Sequence, residues 1–560
     1  MLKINSVLFI RFSFSQHQHY PSPKMREANN AAQYACPVCL LLILHLTVFG
    51  AVVLGQSLPY PQWGELPPGP YKVGFQVFNR YDRGRSVQPK ADFEGNLNPG
   101  EKALPIQISV WSPSEVAAQT PPMLFEEYQH LTQQKNTFQP LTDEDRKRAA
   151  EGIQFIAKFG AGIDLSEAEL QTIRHTPTAA HRDAKPAAGK FPVIISGLDG
   201  GPSSANILYE YLASQGYVVF STPTIGRSGT LQVTHPQIAL NERIGNLEFL
   251  LNFSHTFANA DPTRLGVLGI NFDGMAALLF EMKNRQADAV VSLDGWEGKS
   301  GSSNTLKQSV YFDVNKMRVP YLTVLQDEKD PRLSLQLSRE IFDEFLYADR
   351  YYYVLKEMNH SYLIGNLGVL PSLPPEKRQA YQFLYTTLFH FFEASLKKSP
   401  SDLDFLKKSA RENGFSADLA KTELKKAAFP PVPTTEEVEK LIMAGNIEKV
   451  AAIFQEAKRF NPKVLLFDEQ TMNLYAFRFT QQKQPDKVLA VRRLPAEAFP
   501  QSVYALENLG NAYQAMEQKQ KALECFEKAL ALIDKTDQPD NPEKERMRKM
   551  LQEKIKMKNN

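Results

Sequence analysis

The sequence predicts an α/β protein, with a mostly parallel sheet covered by helices on both faces and an all-α helical-repeat domain behind it. Between residues 191 and 355, short apolar runs alternate with helix-like patterns. Those runs are almost continuously apolar, which marks strands buried on both faces. Past about residue 400 the strand signals stop while helical periodicity continues. A chain of 560 residues also exceeds what one hydrophobic core holds, so it divides into domains.

The elements follow in order. Cys36 to Gly55 (CPVCLLLILHLTVFGAVVLG) is an uncharged apolar run preceded by Lys24 and Arg26 and closed by small residues. This is the layout of a secretory signal over residues 1–55, with Met25 better placed than Met1 to start it. Export to a periplasm or a secreted fate follows; the rival reading is an uncleaved N-terminal membrane anchor, the only membrane contact expected. Of three cysteines, Cys36 and Cys39 lie inside this run. Cleavage would leave Cys525 alone, without a disulfide partner. Tyr71 to Phe78 and Leu104 to Trp111 read as strands from their β-branched, alternating texture. Residues 122–190 are charged and Ala- and Gln-rich, a helical insertion ending in the linker-like AKPAAGK, within a domain spanning 68–395. Phe191 to Ser196, Tyr217 to Ser221, Leu265 to Ile270, Ala289 to Leu293, Tyr321 to Leu325 and Tyr351 to Leu355 supply the buried strands.

Residues 400–560 read as helical. From 503 to 533, Leu506, Leu509, Gly510, Tyr513, Ala522, Phe526 and Ala529 match tetratricopeptide spacing, in which small residues let paired helices touch. Pro500 falls where a preceding repeat ends; Tyr475, Ala476 and Phe479 fit that repeat, while Arg492 and Pro495 do not. Residues 435–460 form a further helix pair.

Ligands on parallel sheets sit at the carboxyl ends of strands, so the chemistry belongs there. LGVLGINFDG (265–274) runs from a strand through a tight turn into a helix, the setting of the nucleophile elbow G-x-S-x-G of α/β-hydrolases. Gly269 takes the first glycine, Asn271 the nucleophile position and Asp273 the second glycine. An amide nitrogen delocalises its lone pair into the carbonyl, so Asn271 is no nucleophile. Asp294 follows the next strand and His360 the last, giving the chain order nucleophile, acid, base. Asp330 is the alternative acid. The glycine-rich turn ISGLDGG (195–201) suggests an oxyanion hole, with backbone N–H donors at Leu198 and Phe272.

On GPYKVGF (69–75), SGLDGG (196–201), GINFDG (269–274), SLDGWEG (292–298) and MNHSYL (358–363), the chain resembles the platelet-activating-factor acetylhydrolase group of α/β-hydrolases, related to dienelactone-hydrolase-like esterases. That resemblance implies an esterase that releases short acyl groups, with Asp294 as acid, His360 as base and Leu198 as an oxyanion donor. The pattern fails at Asn271, and Asp273 adds a carboxylate beside the elbow.

The expectation is therefore an exported pseudo-hydrolase that binds a small ester-like ligand or, through its repeats, a protein partner. An active carboxylic-ester hydrolase using His360 and Asp294 with a non-standard nucleophile (a His360-activated water, a deamidated Asn271, Ser203 or Ser204) is the alternative. An inert structural scaffold is a third. The net charge of +2 favours no nucleic acid. No metal-ligand cluster and no dinucleotide fingerprint is visible, so no cofactor is expected.

Overall fold

The computed structural model describes residues 60–556, except 87–93, 98–99, 101, 136–137, 199, 225–234, 328–335, 357, 365 and 536–541. The signal-like run and Asp330 lie outside the described residues. Eleven strands are described: β1 Lys72–Ser86, β2 Ala103–Glu115, β3 Ala180–Arg182, β4 Lys185–Pro186, β5 Phe191–Leu198, β6 Val218–Pro223, β7 Ala260–Ile270, β8 Ala289–Leu293, β9 Tyr321–Gln326, β10 Arg350–Leu355 and β11 Ala420–Lys425. They form one sheet in the order β11-β10-β9-β8-β7-β5-β6-β2-β1-β3, with β4 paired to β2. Strands β5 to β10 run parallel to one another, while β1, β2 and β11 add antiparallel pairs at the two ends. The central crossover, in which β5 lies between β6 and β7, gives the chain an α/β-hydrolase-like fold.

The apolar runs explain both layers. Side chains alternate across a strand, so Val193 and Ile195 face one core with Leu265, Val267 and Phe280, while Ile194 faces the other with Leu268, Phe391 and Phe392. All six of those β5 and β7 residues are fully buried. Helices Pro236–Ser254 and Asp273–Asn284 cover the first face, and Asn206–Ser214 and Pro375–Leu396 the second.

The insertion is helical over Phe125–Gln134, Asp143–Ala161 and Glu167–Arg174. Thr142 and Ser166 cap the second and third of these helices, each accepting from the backbone N–H three residues on. The stretch expected to be a linker instead carries β4, with β3 just before it, both too short and polar to show periodicity. A buried carboxylate pins the insertion down. Glu210 accepts from Tyr128 Oη at 2.9 Å, the Ala179 N–H at 3.0 Å and Trp63 Nε1 at 3.3 Å. Burial still pushes its carboxyl above the usual range.

Strand signals do not end at residue 400. Strand β11 (AKTELK) pairs antiparallel with β10 from Arg350↔Lys425 to Leu355↔Ala420. It is an edge strand with exposed positions, so it lacks the apolar content by which the buried strands were legible. Beyond it, Thr435–Met443, Ile447–Phe460, Glu469–Gln481, Pro485–Ala498, Val503–Ala515 and Lys519–Lys535 follow as helices, and Pro542–Lys556 comes last. A Cβ on Gly510 would lie 2.4 Å from Phe526 Cε1, so the two helices of this pair meet across a bare glycine. Pro495 sits inside Pro485–Ala498, where it removes one helical N–H donor.

Candidate functional site

Strand β7 ends at Ile270, and Asn271 turns the chain into helix Asp273–Asn284 with φ +60°. Left-handed backbone is costly for most side chains and least so for Asn and Asp. The turn is anchored on both sides: the Asn271 N–H donates to the Leu293 carbonyl at 2.9 Å, and the Gly274 N–H donates to the Asn271 carbonyl at 3.0 Å. Strand and helix pass close together here. A Cβ on Gly269 would meet the Asp273 carbonyl oxygen at 2.0 Å, and one on Gly274 would meet Ser292 Oγ at 2.3 Å. The elbow's second indispensable glycine is thus Gly274, one residue later than the motif puts it.

That shift explains how Asp273 is tolerated. Its side chain turns inward under β5, where a Cβ on Gly197 would lie 2.4 Å from Asp273 Oδ1. Arg243 Nε approaches Asp273 Oδ2 to 3.4 Å, with both side chains almost fully buried. The Arg243 guanidinium also lies over the Phe272 ring, 4.9 Å from its centroid. The carboxylate beside the elbow is part of the core, not of the cavity.

The acid–base half is assembled. Asp294 leaves β8 with φ +51°, is fully buried, and places Oδ2 2.5 Å from His360 Nδ1. His360 opens the short helix His360–Ile364 after β10 and is partly exposed. A carboxylate only accepts, so the Nδ1 proton belongs to the imidazole, and Nε2 of the neutral ring carries the lone pair. The structure thus brings Asp294 and His360 together, and the anchoring of Asn271 on Leu293 sets the elbow beside that acid.

Two neighbours escaped the sequence reading. Lys299 Nζ lies 2.6 Å from Asp294 Oδ1, its side chain 6% exposed against 0% for the acid. Trp296 donates its indole N–H to Asn271 Oδ1 at 2.7 Å and packs edge-on against the Phe272 ring, centroids 5.2 Å apart. Both lie in SLDGWEGKS just after Asp294, and the only sequence signal was a lysine and a tryptophan at a strand end.

A cavity of about 300 Å³ opens beside the elbow. Its walls include Phe155, Ile156 and Phe159 from insertion helix Asp143–Ala161, with Leu198, Ile270 and Asn271. Leu198 borders the cavity, and Phe272, the residue after Asn271, is fully buried. Ser204 also borders the cavity, while Ser203 Oγ faces Thr132 Oγ1 at 3.3 Å. Both stand in the turn Pro202–Ser204 and not at the strand-to-helix turn of residue 271. Among the described residues, no group of three or more His, Cys, Asp or Glu side chains is placed to hold a metal ion. No described helix is long and apolar enough to cross a membrane.

Residues 503–534 match the tetratricopeptide repeat family. The chain therefore carries such a repeat near its C-terminus, over Val503–Ala515 and Lys519–Lys535. Among solved structures, a ferulic acid esterase from Streptomyces cinnamoneus is similar over 64% of this chain and 98% of its own, at 17% identity and a TM-score of 0.40. No curated protein matches in sequence.

Proposed function

We propose that this chain is a non-catalytic member of the α/β-hydrolase group resembling platelet-activating-factor acetylhydrolase, and that it binds a small acyl or ester-like ligand in the elbow cavity. The observation that carries this reading is the occupant of the elbow. Asn271 stands where the fold presents a nucleophile, and its amide is tied to Trp296 at 2.7 Å. Losing the nucleophile in a serine hydrolase costs on the order of a million-fold in turnover. What remains is a pocket, an acid–base pair and the oxyanion donors proposed at Leu198 and Phe272. The helical repeats supply the surface for a protein partner. Export rests on the apolar run at 36–55, with a periplasmic or secreted destination, or an N-terminal anchor if the run is retained.

The 2.5 Å pairing of His360 with Asp294 favours one second reading, an active ester hydrolase in which His360 activates water. The test is hydrolysis of nitrophenyl acetate and butyrate by the full chain beside Asn271→Ser, with fluorophosphonate labelling of both. The first reading expects no turnover and no label for the wild type, and both for the variant. Wild-type turnover that disappears in His360→Ala would establish the second reading instead.

A further inference from the structure

We infer that Lys299 is a second inactivating residue: it takes up the charge of Asp294, so that the Asp294–His360 pair is a structural ion network and not a working base. The inference deepens the non-catalytic reading above and rests on it, and it places a lesion away from residue 271.

One carboxylate here has two partners. Asp294 Oδ2 meets His360 Nδ1 at 2.5 Å, and Oδ1 meets Lys299 Nζ at 2.6 Å. The lysine side chain is 6% exposed and the acid 0%, so water screens their attraction little. The lysine is also held by its backbone. Its N–H donates to the Trp296 carbonyl at 2.9 Å, and it forms an antiparallel bridge with Leu337. The other acid that acts on Lys299 is Glu297, which is fully buried among Ser292 and Tyr321. Burial pushes the Glu297 carboxyl up, away from its charged form, which leaves the ammonium to Asp294.

The consequence is electrostatic. A histidine that takes a proton at Nε2 becomes an imidazolium, and the acid behind it serves by steadying that charge. A lone buried carboxylate does so strongly, because Coulomb energies grow where water is excluded. With an ammonium on its second oxygen, the acid and its lysine are together neutral, and the imidazolium gains far less. A lysine present only to position the acid would support the base instead. The two roles therefore predict opposite effects of removing the lysine.

Hydrolysis of nitrophenyl butyrate by the full chain tests this, with Asn271→Ser as the starting point. Adding Lys299→Met or Lys299→Gln should raise turnover at least about tenfold, a part of the roughly ten-thousand-fold that a well-placed acid supplies. The Gln variant keeps a hydrogen-bond donor beside the acid, so the test does not depend on how the Met variant folds. Lys299→Arg keeps the charge and should stay at the Asn271→Ser level. His360→Ala should abolish whatever the Met variant gains. Turnover unchanged or lowered by Lys299→Gln overturns the inference alone, as does a gain that Lys299→Arg shares or that survives His360→Ala. Wild-type turnover that disappears in His360→Ala overturns the non-catalytic reading and this inference together.

Discussion

The two halves of the elbow site differ in what has been kept. On one side, Asp294 and His360 hold the hydrogen bond that an acid–base pair needs. On the other, Asn271 turns the chain with φ +60°, strand and helix approach closely at Gly269, and the side chain at the turn is an amide. The backbone geometry of such a turn does not by itself fix which side chain it presents. Asparagine is one of the few side chains at ease in left-handed backbone, so it suits this turn.

Removing the best-kept residue should have the largest effect. Asp294→Ala leaves Lys299 as a buried cation without its counter-charge, which costs roughly 3–5 kcal/mol; thermal unfolding should show the loss, and an unchanged midpoint would mean that this half is not structurally committed. Next, Asn271→Ser should raise nitrophenyl butyrate hydrolysis on the order of 100-fold, a partial return of what a nucleophile supplies, and His360→Ala in that background should abolish the gain. No gain would show that the acid–base half is also disabled, with Lys299 the first suspect.

Behind the elbow, burial pushes the Glu281 carboxyl up to about 8. Its folded pKa lies above its unfolded one, so stability is fully present at low pH and falls as pH rises from the usual carboxylate range to about 8. Each unit of that displacement is worth about 1.4 kcal/mol. Glu281→Gln should flatten this slope and melt above the wild type at pH 8; parallel melting curves across pH would refute the assignment. The smallest effect belongs to Trp296→Phe. It keeps the ring beside Phe272 but deletes the donor to Asn271 Oδ1, at a cost of about 1 kcal/mol. A larger loss would mean that the indole holds more of the elbow than one hydrogen bond.

The difference between these halves also marks what the sequence could reveal. Buried strands such as FPVIIS and AVVSL announce themselves because both faces must be apolar, and the paired residues Asp294 and His360 follow from their places at strand ends. The repeat at 503–534 was readable because Gly510 and Ala522 must stay small where helices meet. Lys299 was not readable, since a lysine in a polar turn looks solvated until the fold buries it against an acid. The inward path of Asp273 depends on Gly197 from another strand and on Arg243 from another helix, and no local pattern encodes that meeting. Strands β3, β4 and β11 stayed hidden for a different reason, because edge strands need not be apolar.

Strand β11 has a practical bearing on dissecting the chain. It belongs in sequence to the helical tail, yet its backbone completes β10, whose Tyr351, Tyr352 and Tyr353 are all buried. Glu437, on the first tail helix, then bonds Arg285 at 2.8 Å from the sheet side. A fragment stopped near residue 400 would lay bare a row of unsatisfied amides flanked by tyrosines, an adhesive rim inviting self-association. A fragment of the sheet-bearing body must therefore extend at least through residue 425 to keep β11, and one ended near residue 400 from composition alone would lack it.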